Sequence, residues 1–352
     1  MIRTLSDFDL KSRRVLLRVD YNLPIKSGKI LDDYRIKASL PTLRQLFACG
    51  ASQIIIISHL GRPAAFEPEF SLLQVARHLQ SLLPEFSVEF SPWLFGEKLE
   101  QHLAKLPNRS VLVLENLRFF AEEEALDLDF ANSIINSVRP NLFVQDGFGV
   151  LHRAHSSTVL LPKLLPSCAG LLVQQEIVNL SKFNSQPERP LLAIIGGAKI
   201  KDKQPLIDHF LEFADQIVVA GKIAADGYSA SNPKIYVAED FKLSEDQKLD
   251  IGPVSLTKIH QFIKQAKTII WNGTLGQVEN PDFAKSSISL AQAISKSGCD
   301  SLICGGDTVG FIQNLQKIYP LKFSALSTGG GASLEFLLGR ELPGLTALGY
   351  KN

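Results

Sequence analysis

Residues 191–199 read Leu-Leu-Ala-Ile-Ile-Gly-Gly-Ala-Lys. Five consecutive apolar residues without polar alternation describe a strand buried on both faces, and the glycine pair ending it describes a turn in which main chain approaches other groups closely. The pattern recurs outward in both directions. Toward the N-terminus, strand-length apolar runs stand at Val15–Val19, Ile54–Ile57, Val111–Leu114 and Leu142–Val144; toward the C-terminus they stand at Gln216–Val219, Ile235–Val237, Thr268–Trp271, Ser301–Ile303 and Phe323–Leu326. Between them lie stretches of helical period: Tyr34–Cys49, Ser71–Leu83, Ala125–Val138, Gln174–Asn184, Pro205–Ala214, Leu256–Ala266, Ala284–Lys296 and Val309–Ile318. Buried strands alternating with helices predict an α/β fold with doubly wound, Rossmann-like parallel sheets. No repeat of solenoid period and no low-complexity tract interrupts it.

At 352 residues the chain exceeds the length at which one hydrophobic core stops growing, about 250–300, so two domains are expected. Ser185-Gln186-Pro187-Glu188-Arg189-Pro190 reads as the boundary, giving a first domain over 1–173, a helix and hinge over 174–190, and a second domain over 191–335. The composition is that of a globular protein, and 37 basic against 36 acidic residues exclude general electrostatic binding to nucleic acid or anionic membrane. Any anionic partner must be recognised locally. Cys49, Cys168, Cys299 and Cys304 form no CxxC pair, the first ten residues carry charges, and no apolar run has membrane-spanning length, so a cytoplasmic location is expected.

The near-neutral total hides a chemical asymmetry. Twelve of the fourteen arginines precede residue 181, whereas seventeen of the 24 glycines follow it. In open α/β sheets ligands bind beyond the carboxyl ends of the strands. In the first half those ends are Asp20-Tyr21-Asn22, Ser58-His-Leu-Gly-Arg-Pro63, Glu115-Asn-Leu-Arg-Phe119 and Gln145-Asp-Gly-Phe-Gly149, followed by His152-Arg-Ala-His155. Arginines at three of four ends, with Arg35 after the first, suit a small, multiply anionic ligand such as a phosphorylated carboxylic acid. Asp20 and Asn22 could orient its hydroxyl groups. His59 reads equally as a ligand contact or as a structural histidine, His152 and His155 as structural, and Asp146 as a loop or arginine-orienting group.

The second half ends its strands on glycine, at Gly196-Gly197, Gly221, Gly273, Gly305-Gly306 and Gly329-Gly-Gly331. Five such turns in one domain suggest a nucleotide cradle, with N–H groups and helix N-termini facing phosphate. Neither G-x-x-x-x-G-K-[ST] nor a complete G-x-G-x-x-G is present, which argues against a P-loop enzyme and a nicotinamide-dependent dehydrogenase. Lys199 and Lys203 share one face if a helix begins beside them. Asp307 reads equally as an N-cap or a magnesium ligand.

Together these segments resemble the phosphoglycerate kinase family. The resemblance rests on Arg18-Val-Asp-Tyr-Asn-Leu-Pro24, Arg35-Ile-Lys37, Ser58–Pro63, Glu115–Phe119, Phe148-Gly149 with His152–His155, Gly196-Gly-Ala-Lys199 with Asp202-Lys203, Asp250-Ile-Gly-Pro253, Trp271-Asn-Gly273, Gly305-Gly-Asp-Thr308 and Ser327-Thr-Gly-Gly-Gly-Ala-Ser333, in the family's order along nearly the whole chain. It implies reversible phosphoryl transfer between MgATP and the carboxylate of 3-phosphoglycerate by a monomer whose hinge closes around both ligands. By matched position it implies a phosphoglycerate site of Asp20, Tyr21, Asn22, Arg35, His59, Leu60, Gly61, Arg62, Arg118 and Arg153. It implies transfer residues Arg35, Lys199, Gly306 and Gly330, and a nucleotide site of Lys199, Lys203, Gly221, Glu279, Gly305, Gly306, Asp307 and Thr308, with Asp307 on magnesium. Residues 336–352 resemble the tail that returns to the first domain. Departures are concentrated in the nucleotide half: Thr274-Leu275 replaces Pro-Met, and only a short link joins Ala224 to Ile235, where the family carries a longer insertion; in the first half Gln145-Asp146-Gly147 stands where the family has Asn-Asp before Phe-Gly, a milder change. A non-catalytic relative that binds the same ligands is the alternative.

Overall fold

The computed structural model describes residues 2–185, 187–245 and 247–351; Gln186, within the expected boundary, lies outside the described residues. The chain divides into two compact units, one running to Ile177 and resuming at Glu341, the other spanning Val178–Arg340.

The first unit is built on a six-stranded parallel sheet. Its strands are β1 (Arg14–Arg18), β2 (Gln53–Ile57), β3 (Ser87–Ser91), β4 (Ser110–Leu114), β5 (Leu142–Gln145) and β6 (Ser167–Ala169), in the spatial order β3-β4-β2-β1-β5-β6. The absence of polar alternation has its expected cause. Val15, Leu17, Ile54, Ile56, Val111 and Val113 face one core with Leu43, Phe47 and Leu79 of the helices Tyr34–Ala48 and Leu73–Leu82. Leu16, Ile55, Ile57, Leu112, Leu114 and Phe143 face the other, with Leu99, Phe130 and Ile134.

The second unit's sheet is also wholly parallel. Its strands are β7 (Leu191–Ile195), β8 (Gln216–Val219), β9 (Ile235–Val237), β10 (Thr268–Asn272), β11 (Asp300–Cys304) and β12 (Ala325–Ser327), in the order β9-β8-β7-β10-β11-β12. Counted within the unit this is 3-2-1-4-5-6, the order in which dinucleotide-binding folds open a crevice between the first and fourth strands. An antiparallel hairpin of Phe241–Ser244 and Gln247–Ile251 is added. Among the described residues no helix is long and apolar enough to cross a membrane.

Two strands of the parallel sheets and several helices escape a reading by apolar runs. β3 reads Ser-Val-Glu-Phe-Ser, an edge strand whose middle is only half-buried, and β6 is a three-residue edge. The helix Glu97–Lys105 buries only Leu99 and Leu103. The helix expected to begin at Pro205 begins at Ile200 instead. A proline at its sixth position leaves only the carbonyl of exposed Lys201 without its usual donor, a cost that water relieves.

Ile194 is fully buried between Val218 and Trp271 on the neighbouring strands. Ile194→Ala is expected to cost about 2–5 kcal/mol in urea unfolding; a loss below about 1 kcal/mol would show that the strand does not anchor its core.

Candidate active site

In the first unit the chain leaves β1 for β2 on one side and meets β5 on the other, so the strand ends at this switch point should carry the ligand. Arg35, on the first turn of helix Tyr34–Ala48, reaches Asp20 beyond β1 and forms an ion pair through Nη1. Burial pushes the Asp20 carboxyl up, but the Arg35 and Arg18 guanidinium groups and the N–H of Asn22 favour its ionised form, and the carboxyl titrates below its ordinary range. Asn22 accepts from Gly61 N–H at 2.9 Å through Oδ1, tying the first strand's end to the second's.

The loop after β4 is held by its own side chains. Asn116 donates to the carbonyls of Leu60 (2.7 Å) and Phe70 (3.0 Å) and accepts from the N–H groups of Leu60 (3.2 Å) and Arg118 (3.0 Å). That framework aims Arg118, which donates to the Gly61 carbonyl at 2.6 Å and pairs with Glu124 at 3.0 Å. Arg62, Arg118 and Arg153 line a cavity of about 280 Å³ together with Glu124, leaving it net positive. His59 stands outside that lining and is buried; desolvation, together with Arg18, Arg118 and Arg35 against Asp20, drives its pKa well below the usual value, so the ring is neutral.

Tyr21 and Leu60 do not present side chains. Both are packed in the core, the Tyr21 hydroxyl against Ser39 Oγ at 2.8 Å, so they reach a ligand only through main chain. Among the described residues Asp146 pairs with no arginine. It accepts from Leu172 N–H at 2.9 Å in full burial, and desolvation outweighs its donors Thr42, Leu172 and Val173, pushing the carboxyl up to about 6.

In the second unit the crevice between β7 and β10 closes to main-chain contact. Gly196 N–H donates to the Asn272 carbonyl and Gly197 N–H to that of Thr274, both at 2.9 Å. A side chain on Gly196 or Gly273 would overlap the facing backbone, and Gly273 holds φ +93°. Asn272 organises what surrounds the contact: its Oδ1 accepts from the Lys203 ammonium, and its Nδ2 donates to the Cys304 carbonyl at 2.9 Å. Thr308, buried at the start of helix Gly306–Gln316, accepts from Gly273 N–H at 2.9 Å. Burial lowers the Lys203 pKa against the opposing effects of Cys304, Asp202 and Asp307.

A cavity of about 620 Å³ opens from this contact, lined among others by Gly197, Gly221, Glu279 and Asp307 and, on the hairpin, by Phe241 and Lys248. Lys203, Gly305, Gly306, Thr308 and Gly330 stand outside its lining, as does Lys199, which is exposed at the N-cap of helix Ile200–Phe213 and so does not share a helical face with Lys203. Asn272 and Asn116 belong to the sequence motifs, but their function as scaffolds is set by partners distant in sequence.

A family model described as phosphoglycerate kinase matches residues 5–239 and 225–340. The phosphoglycerate kinase of Dictyoglomus turgidum is 38% identical over 394 residues, covering 99% of this chain and 98% of the relative, and that of Fervidobacterium nodosum is 36% identical over 401 residues with the same coverage. The chain belongs to the phosphoglycerate kinase family. Among solved structures, the phosphoglycerate kinase of Pyrococcus horikoshii OT3 matches with TM-score 0.88 at 29% identity, covering 99% of this chain and 98% of that one. That of Coxiella burnetii matches with TM-score 0.79 at 32% identity, covering 99% of both. Like its relatives, this family member is an enzyme, a phosphotransferase acting on small molecules.

Two outcomes test the site's construction in this phosphoglycerate kinase family chain. Gly273→Ala is expected to cost about 2 kcal/mol or more in urea unfolding, because both φ and space oppose a Cβ. Gly298→Ala, at positive φ but in open space, should cost only about 1 kcal/mol. For Asp146 the folded pKa lies above the unfolded one, so its contribution is fully present below about pH 4 and is lost as pH rises to about 6. Wild-type stability should therefore fall relative to Asp146→Asn by up to about 3 kcal/mol across that window and run level above it; parallel stability curves would refute the raised pKa.

Proposed function

We propose that this family member catalyses the reversible, magnesium-dependent transfer of a phosphoryl group between ATP and the carboxylate of 3-phosphoglycerate, the step of glycolysis and gluconeogenesis that interconverts it with 1,3-bisphosphoglycerate, as a cytoplasmic monomer. The observation that carries this reading is the pair of contrasting strand-end sites: guanidinium groups around Asp20 and Asn22 in one unit, and a glycine-walled cavity with Lys203 and Asp307 at or beside it in the other.

The chemistry asks little of a general base. The acceptor carboxylate, with a pKa of about 3.5–4, is already an anion at neutral pH. What remains is to gather charge and align the reactants. Arg62, Arg118 and Arg153 are assigned to the phosphate of phosphoglycerate, Asp20 and Asn22 to its hydroxyl, and Arg35 to the phosphoryl group in transit. Lys199 and the N–H groups at Gly306 and Gly330 join Arg35 in that role, while Lys203 and Thr308 serve the nucleotide phosphates and Glu279 the ribose. The acyl phosphate product is labile in water, so transfer requires solvent exclusion, for which residues 174–190 are assigned as the hinge.

Asp307 fits a magnesium site of a particular kind. It is an exposed carboxylate lining the cavity, and among the described residues no three His, Cys, Asp or Glu side chains gather to cage a metal. A single carboxylate suits magnesium, which keeps water and substrate phosphates as its other ligands. When bound, the ion would neutralise nucleotide phosphate charge.

A shortening of the segment after Ala224 would fall beside the nucleotide cavity, which Ala225 lines. The two pieces of the family match overlap at 225–239, and Lys248 on the hairpin reaches the Ala225 carbonyl at 3.2 Å. Base preference is therefore best measured. In a coupled assay with 3-phosphoglycerate and a panel of magnesium nucleotides, turnover is expected with at least ATP; none with any nucleotide, despite measurable phosphoglycerate binding, would overturn the proposal. Arg35→Ala should lower kcat by about 100-fold or more while leaving the circular dichroism spectrum unchanged; near-normal kcat would remove Arg35 from the transfer step.

A further inference from the structure

Behind the three-arginine cavity lies a charged cluster that the phosphoglycerate site as read above does not use. Arg18 ends β1 and is only 1% exposed, and Glu123, on a short turn more than a hundred residues later, is fully buried. They are 3.9 Å apart and joined through Ser157. Ser157 Oγ accepts from Arg18 Nε at 2.9 Å and donates to Glu123 Oε1 at 2.5 Å, while Ser157 N–H donates to Glu123 Oε2 at 3.0 Å. Both oxygens of a buried carboxylate are thereby committed to one residue. A serine hydroxyl has a single proton, and giving it to Glu123 forces Ser157 to accept from Arg18.

The far side of the guanidinium meets His59. Arg18 Nη1 donates to the Val19 carbonyl, and Nη2 stands 3.3 Å from His59 Nδ1. Arginine has donors and no acceptor, so Nδ1 must supply the lone pair. In a neutral ring the proton then sits on Nε2. The groups acting on His59 are Asp20, which favours a second proton, and Arg18, Arg118 and Arg35, which together with burial oppose it. Glu123 in turn faces Arg18, Arg118 and the ring of His155, whose Nδ1 is 3.8 Å away.

We propose that Ser157 and Glu123 are positioning residues of the phosphoglycerate site: through Arg18 they fix His59 in the tautomer that offers Nε2–H to the ligand. The ring is thus a directional donor within a cluster of cations, able to select where an oxygen is placed. This rests on the assignment of His59 to that site.

The test is long-range 1H–15N correlation of the His59 ring in 15N-labelled full-length protein, with KM values for both substrates, for wild type, Ser157→Ala, Ser157→Thr and Glu123→Gln. Wild type should show a pyridine-type Nδ1 and a pyrrole-type Nε2. Ser157→Ala should mix the tautomers and raise KM for 3-phosphoglycerate about 3–10-fold while leaving KM for nucleotide unchanged, as expected for a weakened hydrogen bond. Ser157→Thr, which keeps the hydroxyl, should restore both readouts. Glu123→Gln checks the outer link and should resemble Ser157→Ala; if it does not fold, the serine pair alone decides. A protonated Nδ1 in wild type, or an unaltered His59 spectrum in Ser157→Ala, would overturn the proposal. Absence of any phosphoglycerate turnover would instead defeat the functional reading, with the spectra still reporting on the positioning chain.

Discussion

The second unit depends on how closely two strands' exits can approach. Gly196-Gly197 and Gly273-Thr274 lie against one another at hydrogen-bond distance, and a Cβ on Gly196 or Gly273 would overlap the facing backbone. Lys203 and Thr308, both assigned to the nucleotide, are placed relative to that contact. Asn272 stands at its edge and gathers the Lys203 ammonium and the Cys304 carbonyl, and Thr308 ties the next helix to it through Gly273. Main chain is a good material for such a floor. It offers N–H donors in fixed directions, and it loses no side-chain entropy on binding.

The first unit meets a similar demand with the opposite material. Its guanidinium groups are long, charged and mutually repulsive, so they must be held. Asp20 holds Arg35, Glu124 and the Gly61 carbonyl hold Arg118, and Ser157 and Glu123 hold Arg18. Burying so many ions is expensive unless each is paired or hydrogen-bonded. The outcome is a graded arrangement in which Arg18 is sealed, Arg118 nearly so, and Arg62 exposed.

What was legible in the sequence follows from where the information lies. The central strands were readable because burial on both faces demands consecutive apolar residues, a local signal. Edge strands such as Ser87–Ser91 carry no such demand, and the helix Glu97–Lys105 shows only two buried apolar positions. Candidate ligand groups were readable because they stand at strand ends, although Tyr21 and Leu60 share those ends and point into the core. Arg18 was visible only as part of a motif. Its burial, its serine and its carboxylate depend on residues 139 and 105 places further along the chain, distances over which no pattern of residues speaks.

The residues from Glu341 onward belong to the first unit, where Gly344 N–H donates to the Leu151 carbonyl at 3.0 Å and Leu342, Leu345 and Leu348 are buried. A polypeptide emerging from the ribosome delivers these residues only after the whole of Val178–Arg340 has been made. The sequence of the second unit is therefore complete before that of the first. Until Leu342, Leu345 and Leu348 arrive, the first unit lacks three of its buried leucines, so its packing cannot be completed before the second unit's sequence has been made.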